Sequence, residues 1–279
     1  MLSYRHAFHA GNHADVLKHL CETLVLDYLT SKAGKPLCYI DTHAGCGEYR
    51  LDRGFAQQNA EFQSGIARLW SAPELPAPLQ TYMDLVRSFN PDQVLQRYPG
   101  SAAIARHLLR QDDRLLLSEL HPVDFKLLQQ WSRPDRRILC ARQDGLERLL
   151  PSLPPRERRA LVLIDPSYEV KNDYHRAYAT LKQAAVRFAT GVYLLWYPLL
   201  RRVELERLQH RLQALPLRSL TAELTVADSR AAGMVGSGVF VINPPWQLAS
   251  QLEACRDALP ALLGQSPAAT LRITTQNLI

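Results

Sequence analysis

Short apolar runs alternate along the chain with longer amphipathic segments. Turn-forming residues bound each apolar run, a pattern typical of buried β-strands. The predicted strands are Leu37–Asp41, Leu115–Leu120, Ile138–Ala141, Ala160–Asp165, Gly191–Trp196, Leu217–Val226 and Gly238–Asn243. The predicted helices are Ala14–Thr30, Ser101–Arg110, Pro122–Trp131, Asp144–Leu150, Tyr174–Phe188, Leu199–Leu212 and Gln247–Leu263. This order predicts an α/β fold, in which helices cover both faces of a mostly parallel, seven-stranded sheet.

One interval between predicted strands is too long for a single crossover helix. The first strand ends at Asp41 and the second begins at Leu115, whereas a crossover needs only about a dozen residues or more. Two further helices are predicted inside this interval, Glu61–Trp70 and Leu79–Phe89. We therefore expect a helical insertion over 49–99, packed on the edge of the sheet, within one catalytic domain formed by 1–48 and 100–279.

The composition is that of a globular chain with a modest basic excess. Of 279 residues, 47% are hydrophobic, and Lys+Arg (33) exceed Asp+Glu (27) by six. No apolar run reaches the roughly 18 residues that a membrane helix requires. The five cysteines include no C-x-x-C pair, which fits reduced thiols better than disulfides or a zinc site. We expect a cytoplasmic protein without a membrane contact.

Arginine dominates the basic residues, since only six of the 33 cations are lysines. This bias favours a polyanionic partner, but a genome that prefers arginine codons would produce it too. Clusters that would contact phosphates, if they share a face with the site, are Arg133/Arg136/Arg137, Arg156/Arg158/Arg159 and Arg201/Arg202/Arg207/Arg211. Otherwise each cluster is a solvated turn or helix surface.

The segment Asp41–Glu48, DTHAGCGE, directly follows the first predicted strand. Its small residues let a ligand approach the backbone at the carboxyl end of a strand, where α/β sheets bind ligands. Arg50 replaces the third glycine of the dinucleotide fingerprint, and no Gly-Lys-Ser/Thr phosphate loop follows. The pattern favours an S-adenosylmethionine (SAM) site, with a simple tight βα turn as the alternative.

Acidic residues also follow the next two predicted strands. Glu119 ends the second strand, where a carboxylate can accept hydrogen bonds from both ribose hydroxyls. Asp144 and Gly145 follow the third strand, where the adenine amino group of such a cofactor would lie. The alternatives are a solvent-facing acid for Glu119 and a helix N-cap for Asp144.

The fourth predicted strand runs into Asp165, Pro166, Ser167 and Tyr168. This combination suits methylation of an exocyclic amine, whose lone pair is delocalised into the ring. A carboxylate and a proline-fixed carbonyl that accept the two N–H bonds make the nitrogen nucleophilic, and an aromatic ring stacks on the extruded base. We predict Asp165, Pro166 and Tyr168 as the catalytic residues, with no metal.

A second segment, Asn243–Trp246 (NPPW), fits the acid-or-amide, Pro, Pro, aromatic pattern better than the segment with Ser167. Position decides between them. The fourth strand is expected to adjoin the first at the switch point of the sheet, whereas a seventh strand belongs to the far side. We therefore place the catalytic site at Asp165 and interpret Asn243 as the cap of the last helix.

The chain resembles the RlmJ family, which methylates N6 of one adenine in 23S ribosomal RNA. The resemblance extends in order from residue 1 to about 246. The matching segments are MLSYRHAFHAGNHADVLKH, DTHAGCGEY, YPGS, SELHP, DPSY and GVFVINPPW. It implies a Rossmann-like, SAM-dependent methyltransferase that acts on 23S rRNA before full subunit assembly, as a monomer that requires no protein partner.

Carried over to matching positions, the resemblance also implies the site residues. The SAM contacts would be Lys18, His19, His43, Ser101, Glu119, Asp144, Gly145 and Asp165. Asp165 would be the catalytic acceptor, and Tyr4 and His6 would face the RNA. One departure is Ser167, since the family motif is Asp-Pro-Pro-Tyr. It leaves open a catalytically weakened SAM- or RNA-binding protein, while a DNA adenine or a protein-glutamine methyltransferase are the rival enzymes.

The N-terminal residues admit three interpretations. His6, His9 and His13 have helical spacing, but Gly11 interrupts a helix and nothing completes a metal-ligand set. A partly disordered tail is the second. The third, drawn mainly from the resemblance, is an ordered lid over 1–13, beside which Lys18 pairs with the SAM carboxylate. Ser101, after Pro-Gly, is expected to be a helix N-cap and a cofactor ligand at once.

Overall fold

The computed structural model describes residues 5–228, 231 and 233–277. The strands are β1 Cys38–Asp41, β2 Glu48–Arg50, β3 Arg97–Pro99, β4 Arg114–Ser118, β5 Ile138–Ala141, β6 Ala160–Ile164, β7 Val192–Leu199, β8 Ser219–Thr225, β9 Gly236–Ile242 and β10 Thr270–Gln276. The helices are α1 His13–Thr30, α2 Phe55–Asn59, α3 Ile66–Trp70, α4 Ala77–Ser88, α5 Ser101–Leu108, α6 Pro122–Ser132, α7 Gly145–Leu149, α8 Asn172–Arg187, α9 Val203–Gln213, α10 Leu248–Glu253 and α11 Ala258–Leu263. Single 3₁₀ turns lie at His6–Phe8, Glu61–Ser64 and Leu150–Ser152. No helix in the described ranges is both long and apolar enough to cross a membrane.

The main sheet has the strand order β10-β8-β9-β7-β6-β1-β4-β5, and β2 and β3 form a separate pair. Strands β7, β6, β1, β4 and β5 are parallel, whereas β9 is antiparallel to both of its neighbours and β10 to β8. The Rossmann-like fold is as predicted, but the sheet has eight strands and not seven. The additional strand β10 carries mostly polar side chains at the sheet edge, so it lacks the apolar run by which the other seven are recognisable.

The order of the parallel strands brings four predicted segments to one edge of the sheet. β1 pairs with β6 on one side and with β4 on the other, and β4 pairs with β5. Asp41 ends β1, and Asp165 directly follows β6. Because carboxyl ends of parallel strands meet at one edge, the segments at Glu119 and Asp144 join them there.

The helices cover both faces of the sheet. On one face, α1 and α5 form part of a buried apolar cluster; on the other, α8 and α9 pack in a second cluster with β6 and β7. The insertion was expected to pack on the edge of the sheet. It packs instead on α1, where Leu79 and Met83 of α4 share one apolar cluster with Leu17 and Leu24. The predicted last helix is two short helices, α10 and α11.

Candidate functional site

A cavity of about 1000 Å³, open to solvent, lies at the carboxyl edge of the parallel strands. Its walls bring together the segments that follow β1, β4, β5 and β6, together with one face of α1. All of the predicted cofactor contacts line it: Lys18, His19, His43, Ser101, Glu119, Asp144, Gly145 and Asp165. Pro166 and His6 lie in the same wall.

Asp41, at the end of β1, organises the floor of this cavity. Its carboxylate accepts hydrogen bonds from Ser101 Oγ (2.7 Å), Tyr39 Oη (3.1 Å) and the His43 backbone N–H (3.0 Å). Burial raises the pKa of Asp41 to about 6, although these donors oppose the shift. The N-cap of α5 is Gly100 and not Ser101, since the Ser101 hydroxyl turns to Asp41 instead of to its own helix.

Two glycines let the segments of the floor approach closely. Gly45 has a φ of +59°, and a Cβ there would lie 2.1 Å from Tyr49 Oη. At Gly145, a Cβ would lie 1.9 Å from the carbonyl oxygen of Thr42. The start of α7 therefore packs directly on the turn after β1, which only a residue without a side chain permits.

Glu119 holds the turn after β1 in place. Its carboxylate accepts the backbone N–H groups of Gly45 (2.9 Å) and His121 (2.6 Å). Burial raises the pKa of Glu119 to about 7. Burial lowers the pKa of the nearby His43 ring to about 4, so this ring is neutral near pH 7, where Glu119 titrates.

Asp144 has the two roles that the sequence left as alternatives. Its Oδ1 caps α7 by accepting the N–H groups of Leu146 and Glu147. Its Oδ2 accepts a 2.7 Å hydrogen bond from Arg176 on α8, a residue that also lines the cavity. Burial opposes ionisation, but the Arg176 guanidinium lowers the pKa of Asp144 below its usual value.

Lys18 joins α1 to the loop after β6. Its ammonium lies 2.5 Å from Asp165 Oδ2 and 2.9 Å from Asp15 Oδ1. Burial alone would lower the pKa of Lys18, but the two carboxylates raise it above its ordinary value. The lysine is therefore a buried cation held between two acids, one of them the predicted catalytic residue.

His19, the next residue of α1, is a neutral polar contact on the same wall. Its Nδ1 lies 2.7 Å from Tyr98 Oη, which in turn lies 2.9 Å from Tyr82 Oη in the insertion. Burial lowers the pKa of His19 well below its usual value.

A second cavity, of about 880 Å³, adjoins the first, and the two share His6, Lys18, Asp165 and Ser167. Trp196 and Tyr168 line the second cavity. The Tyr168 backbone has a φ of +54°, and its hydroxyl donates to the Trp196 carbonyl oxygen at 2.7 Å. The whole residue is only 1% exposed.

The N-terminal residues within the described ranges form an ordered segment. His6 Nε2 contacts Asp15 (2.9 Å), His9 contacts Glu61 (2.9 Å), and Arg5 pairs with Asp124 (2.9 Å). These contacts tie the segment to α1, to the insertion and to α6, so a disordered tail is wrong for residues 5–13. Tyr4 lies outside the described residues.

The NPPW segment lies at the opposite edge of the sheet. Because β9 is antiparallel to β7, Asn243 emerges where the parallel strands begin. Its side chain donates to the carbonyl oxygens of Ala189 and Gly191, so the prediction that it caps the last helix is wrong. The two segments therefore lie at opposite edges of the sheet, and Asp165 stays the predicted catalytic residue.

The arginine clusters divide between the two edges. Arg202 lines the second cavity and donates to the Tyr168 carbonyl oxygen. Arg137 and Arg159 instead bond backbone carbonyls near the starts of the strands, away from this cavity. Among the described residues of the three clusters, Arg202 is the one that lines this cavity, whereas Arg211 of the same cluster lies over the ring of Tyr178 on α8.

Several site residues were missed from the sequence. Arg176 and Trp196 act through partners far away along the chain, so no local pattern marks them. Asp15 pairs with Lys18 three residues along α1, a spacing that is common on exposed helix surfaces and does not mark a buried pair. Asp41 had a signal, because an acid that ends a buried strand is an unusual feature.

The comparisons with known proteins identify the family of the chain. The model of the family described as "RsmJ: Ribosomal RNA large subunit methyltransferase D, RlmJ" matches residues 34–274. The chain belongs to this family. It is 48% identical over 254 residues to "Ribosomal RNA large subunit methyltransferase J" of Escherichia coli (strain K12), covering 90% of each chain. The protein of the same name from Haemophilus influenzae is 43% identical over 265 residues, which cover 94% of this chain and 93% of that one.

A solved structure is similar over nearly the full length. The crystal structure of protein LPL1258 from Legionella pneumophila has a TM-score of 0.88 and 34% sequence identity. The match covers 96% of this chain and 98% of that one. The chain therefore shares its fold with this protein over nearly the full length.

Proposed function

We propose that this chain is a SAM-dependent methyltransferase that modifies the exocyclic N6 of one adenine in 23S rRNA. The observation that carries the proposal is the pair of cavities that meet at Asp165. One cavity has the polar groups for a nucleoside cofactor, and the other lies beside the carboxylate that would receive the target amine. The names of the two curated relatives supply the substrate class, large-subunit rRNA.

The first cavity fits SAM by the chemistry of its donors and acceptors. Glu119 would accept the ribose hydroxyls, and Asp144 would accept the adenine amino group. Lys18 would pair with the carboxylate of the methionine part, and Gly45 and Gly145 let the turn after β1 and the start of α7 pack closely in the wall of the site. His19, His43 and Ser101 complete this wall. When bound, SAM supplies an electrophilic methyl group on its sulfonium.

Asp165 would orient the target nitrogen. Its Oδ2 is held by Lys18, which leaves Oδ1 to accept one N6–H bond, while the carbonyl oxygen of Pro166 accepts the other. Both acceptors pull the nitrogen lone pair out of conjugation with the ring, toward the methyl donor. Methyl transfer leaves N6 positively charged, and the excess proton then departs toward the Asp165 carboxylate.

The second cavity would receive the extruded adenine. Tyr168 was expected to stack on the base, and its ring packs against Tyr174 and Trp196 with centroids 4.5 and 5.9 Å away. We propose that Tyr168 forms the buried back of the base site. His6, which lines both cavities, would close over the base with Tyr4 as part of a lid over 1–13, and Arg202 would meet a flanking phosphate.

Further parts of the proposal concern the architecture and the partner. Residues 1–48 and 100–279 would form the catalytic domain and 49–99 an inserted subdomain that holds α1 in place. The enzyme would act as a monomer on 23S rRNA before subunit assembly is complete, and it would need no protein partner and no metal.

Tritium transfer from [methyl-³H]SAM tests the substrate class. We expect label in protein-free 23S rRNA and none in adenine-containing duplex DNA or in glutamine-containing protein. Label in DNA or in protein alone would support the rival enzymes. SAM binding by calorimetry without label in any of the three would contradict methyl transfer and would favour a binding protein weakened at Ser167.

A further inference from the structure

The NPPW segment presents an exposed tryptophan on a rigid backbone. Asn243 has a φ of +54° and is held by two hydrogen bonds to backbone carbonyls. Pro244 and Pro245 are buried, whereas Trp246 is 75% exposed. A large aromatic side chain that is held out into solvent by a fixed turn has no role in the core.

Trp246 borders a surface cavity of about 700 Å³. Tyr28, at the end of α1, lines the same cavity, and the Lys32 ammonium lies 4.6 Å from the centre of its ring. Arg218, which precedes β8, is exposed on another wall. Among the described residues that line this cavity, none is acidic.

The cavity is separate from the site at Asp165. Ile242 pairs with Tyr193 near the start of β7, whereas Ile164 pairs with Leu195 farther along the same strand. The two segments therefore leave the sheet at opposite edges. Lys35 and Arg159 lie on the same edge as Trp246, since Arg159 donates to the Lys35 carbonyl oxygen just before β1. Two cations besides Lys32 and Arg218 thus lie on this edge of the sheet.

We propose that this cavity binds one unstacked nucleotide of a single-stranded RNA segment. The base stacks on Trp246, and the phosphates on either side contact Lys32 and Arg218. An aromatic face beside cations, with no carboxylate, is the combination by which proteins hold single strands without reading their sequence. The choice of RNA rests on the proposed function, and this second contact anchors the substrate at a distance from the methylated base.

Fluorescence anisotropy with a labelled, unstructured RNA oligonucleotide tests the site on the full chain. Trp246→Ala is expected to weaken binding about ten-fold, and Trp246→Phe, which keeps an aromatic face, much less. Removing Lys32 and Arg218 together is expected to flatten the slope of log affinity against log salt by about 0.7 for each cation. Val186→Ala, which alters another exposed apolar side chain (80% exposed), is the matched control and should bind as the wild type does.

Photo-crosslinking with 4-thiouridine locates the contact independently. A crosslink within Tyr28–Lys32 or Pro244–Trp246 supports the site. Unchanged affinity of Trp246→Ala, or crosslinks at the edge of Asp165 only, would overturn it and leave the patch to a protein partner. If the Trp246→Ala variant does not fold, the variant that lacks the exposed Lys32 and Arg218 side chains tests the site through the salt dependence of RNA binding. Oligonucleotide binding needs no methyl transfer, so a wild-type enzyme that fails to methylate 23S rRNA contradicts the proposed function and not this site.

Discussion

At the scale of single residues, Lys18 and Asp165 form an ion pair that holds both side chains in place. A buried ammonium is costly unless carboxylates pair with it, and Lys18 has two within 2.9 Å. A cofactor carboxylate that attracts Lys18 would therefore compete with Asp165 and Asp15 for the same cation. The pair links the two proposed binding events, because whatever moves Lys18 changes which groups surround the Asp165 carboxylate.

The affinity for SAM should depend on pH through Glu119. Burial raises the pKa of this carboxyl to about 7, and only the ionised form accepts both ribose hydroxyls. Raising the pH from 6 to 8 should therefore tighten binding about ten-fold, as the ionised fraction grows from about a tenth to nearly all. Calorimetric Kd values across this range provide the measurement.

Glu119→Gln is the control for that profile. It keeps the shape of the side chain and removes its titration, so its Kd should be weaker and less dependent on pH. Any dependence that remains reports Asp41, whose pKa is about 6, or the ligand itself. An identical pH profile in wild type and variant would contradict the role of Glu119.

Ser167 is the departure from the family motif in the catalytic loop. Among the described residues, its hydroxyl accepts one long, 3.5 Å hydrogen bond, from the Glu169 N–H, so it holds the loop weakly. Ser167→Pro should leave the loop with fewer conformations and raise the single-turnover rate by a few-fold at most. Ser167→Ala should keep the wild-type rate. A rate that falls in the proline variant would show that the serine conformation is needed here.

Candidate site residues could be predicted from the sequence where they directly follow a predicted strand. Glu119, Asp144 and Asp165 each follow a strand, and the fold brings such positions to one edge. Trp196 and Arg176 could not be found that way, because their role arises from packing between elements that are distant in sequence. Tyr168 stays a predicted residue of the base site, and its packing against Tyr174 and Trp196 has no sequence signal.

At the scale of elements, the start of α1 joins the N-terminal segment to the insertion. Asn12 caps α1 by accepting the N–H groups of Ala14 and Asp15, and its own amide donates to Glu61. The carbonyl oxygen of Gly11 accepts the Ile66 N–H at 2.8 Å. Removing residues 2–13 would remove this junction as well as the proposed lid. A shorter truncation that keeps Gly11 and Asn12 is therefore the better test of whether the N-terminal segment acts as a lid.

Asn12→Ala should lower the free energy of unfolding by about 1 kcal/mol through loss of the cap. Asn12→Ser, which keeps an acceptor at the cap, should lose less. Denaturant unfolding measures both. Equal stability of the alanine variant and the wild type would show that the cap contributes nothing to α1.

The prediction of elements succeeded where an apolar run has a clear period and failed at the edges of the molecule. The strand β10 has a polar pattern that only its pairing with β8 explains. The insertion was recognised by its length and α1 was predicted as Ala14–Thr30, but the packing of the insertion on α1 was not predicted. Because α1 is buried almost all round, no single apolar face shows which element packs on it.

At the scale of the whole molecule, the insertion and the catalytic core share one apolar cluster. Tyr82 and Tyr98 also connect α4 to His19 by hydrogen bonds. We therefore expect a single calorimetric transition, with equal calorimetric and van't Hoff enthalpies. A separate transition that an excised 49–99 peptide reproduces would contradict a shared core and would make the insertion an independent domain.

Nucleoside mass spectrometry of 23S rRNA that has been incubated with SAM and the enzyme tests the role of Asp165 most directly. The wild type should form one N6-methyladenosine per molecule. Asp165→Ala should lower the rate about 10²- to 10⁴-fold, and Asp84→Ala, which alters an exposed aspartate on α4, should leave it unchanged. N6-methyladenosine formed at the wild-type rate by Asp165→Ala, or a methyl group on another atom, would contradict the proposed chemistry.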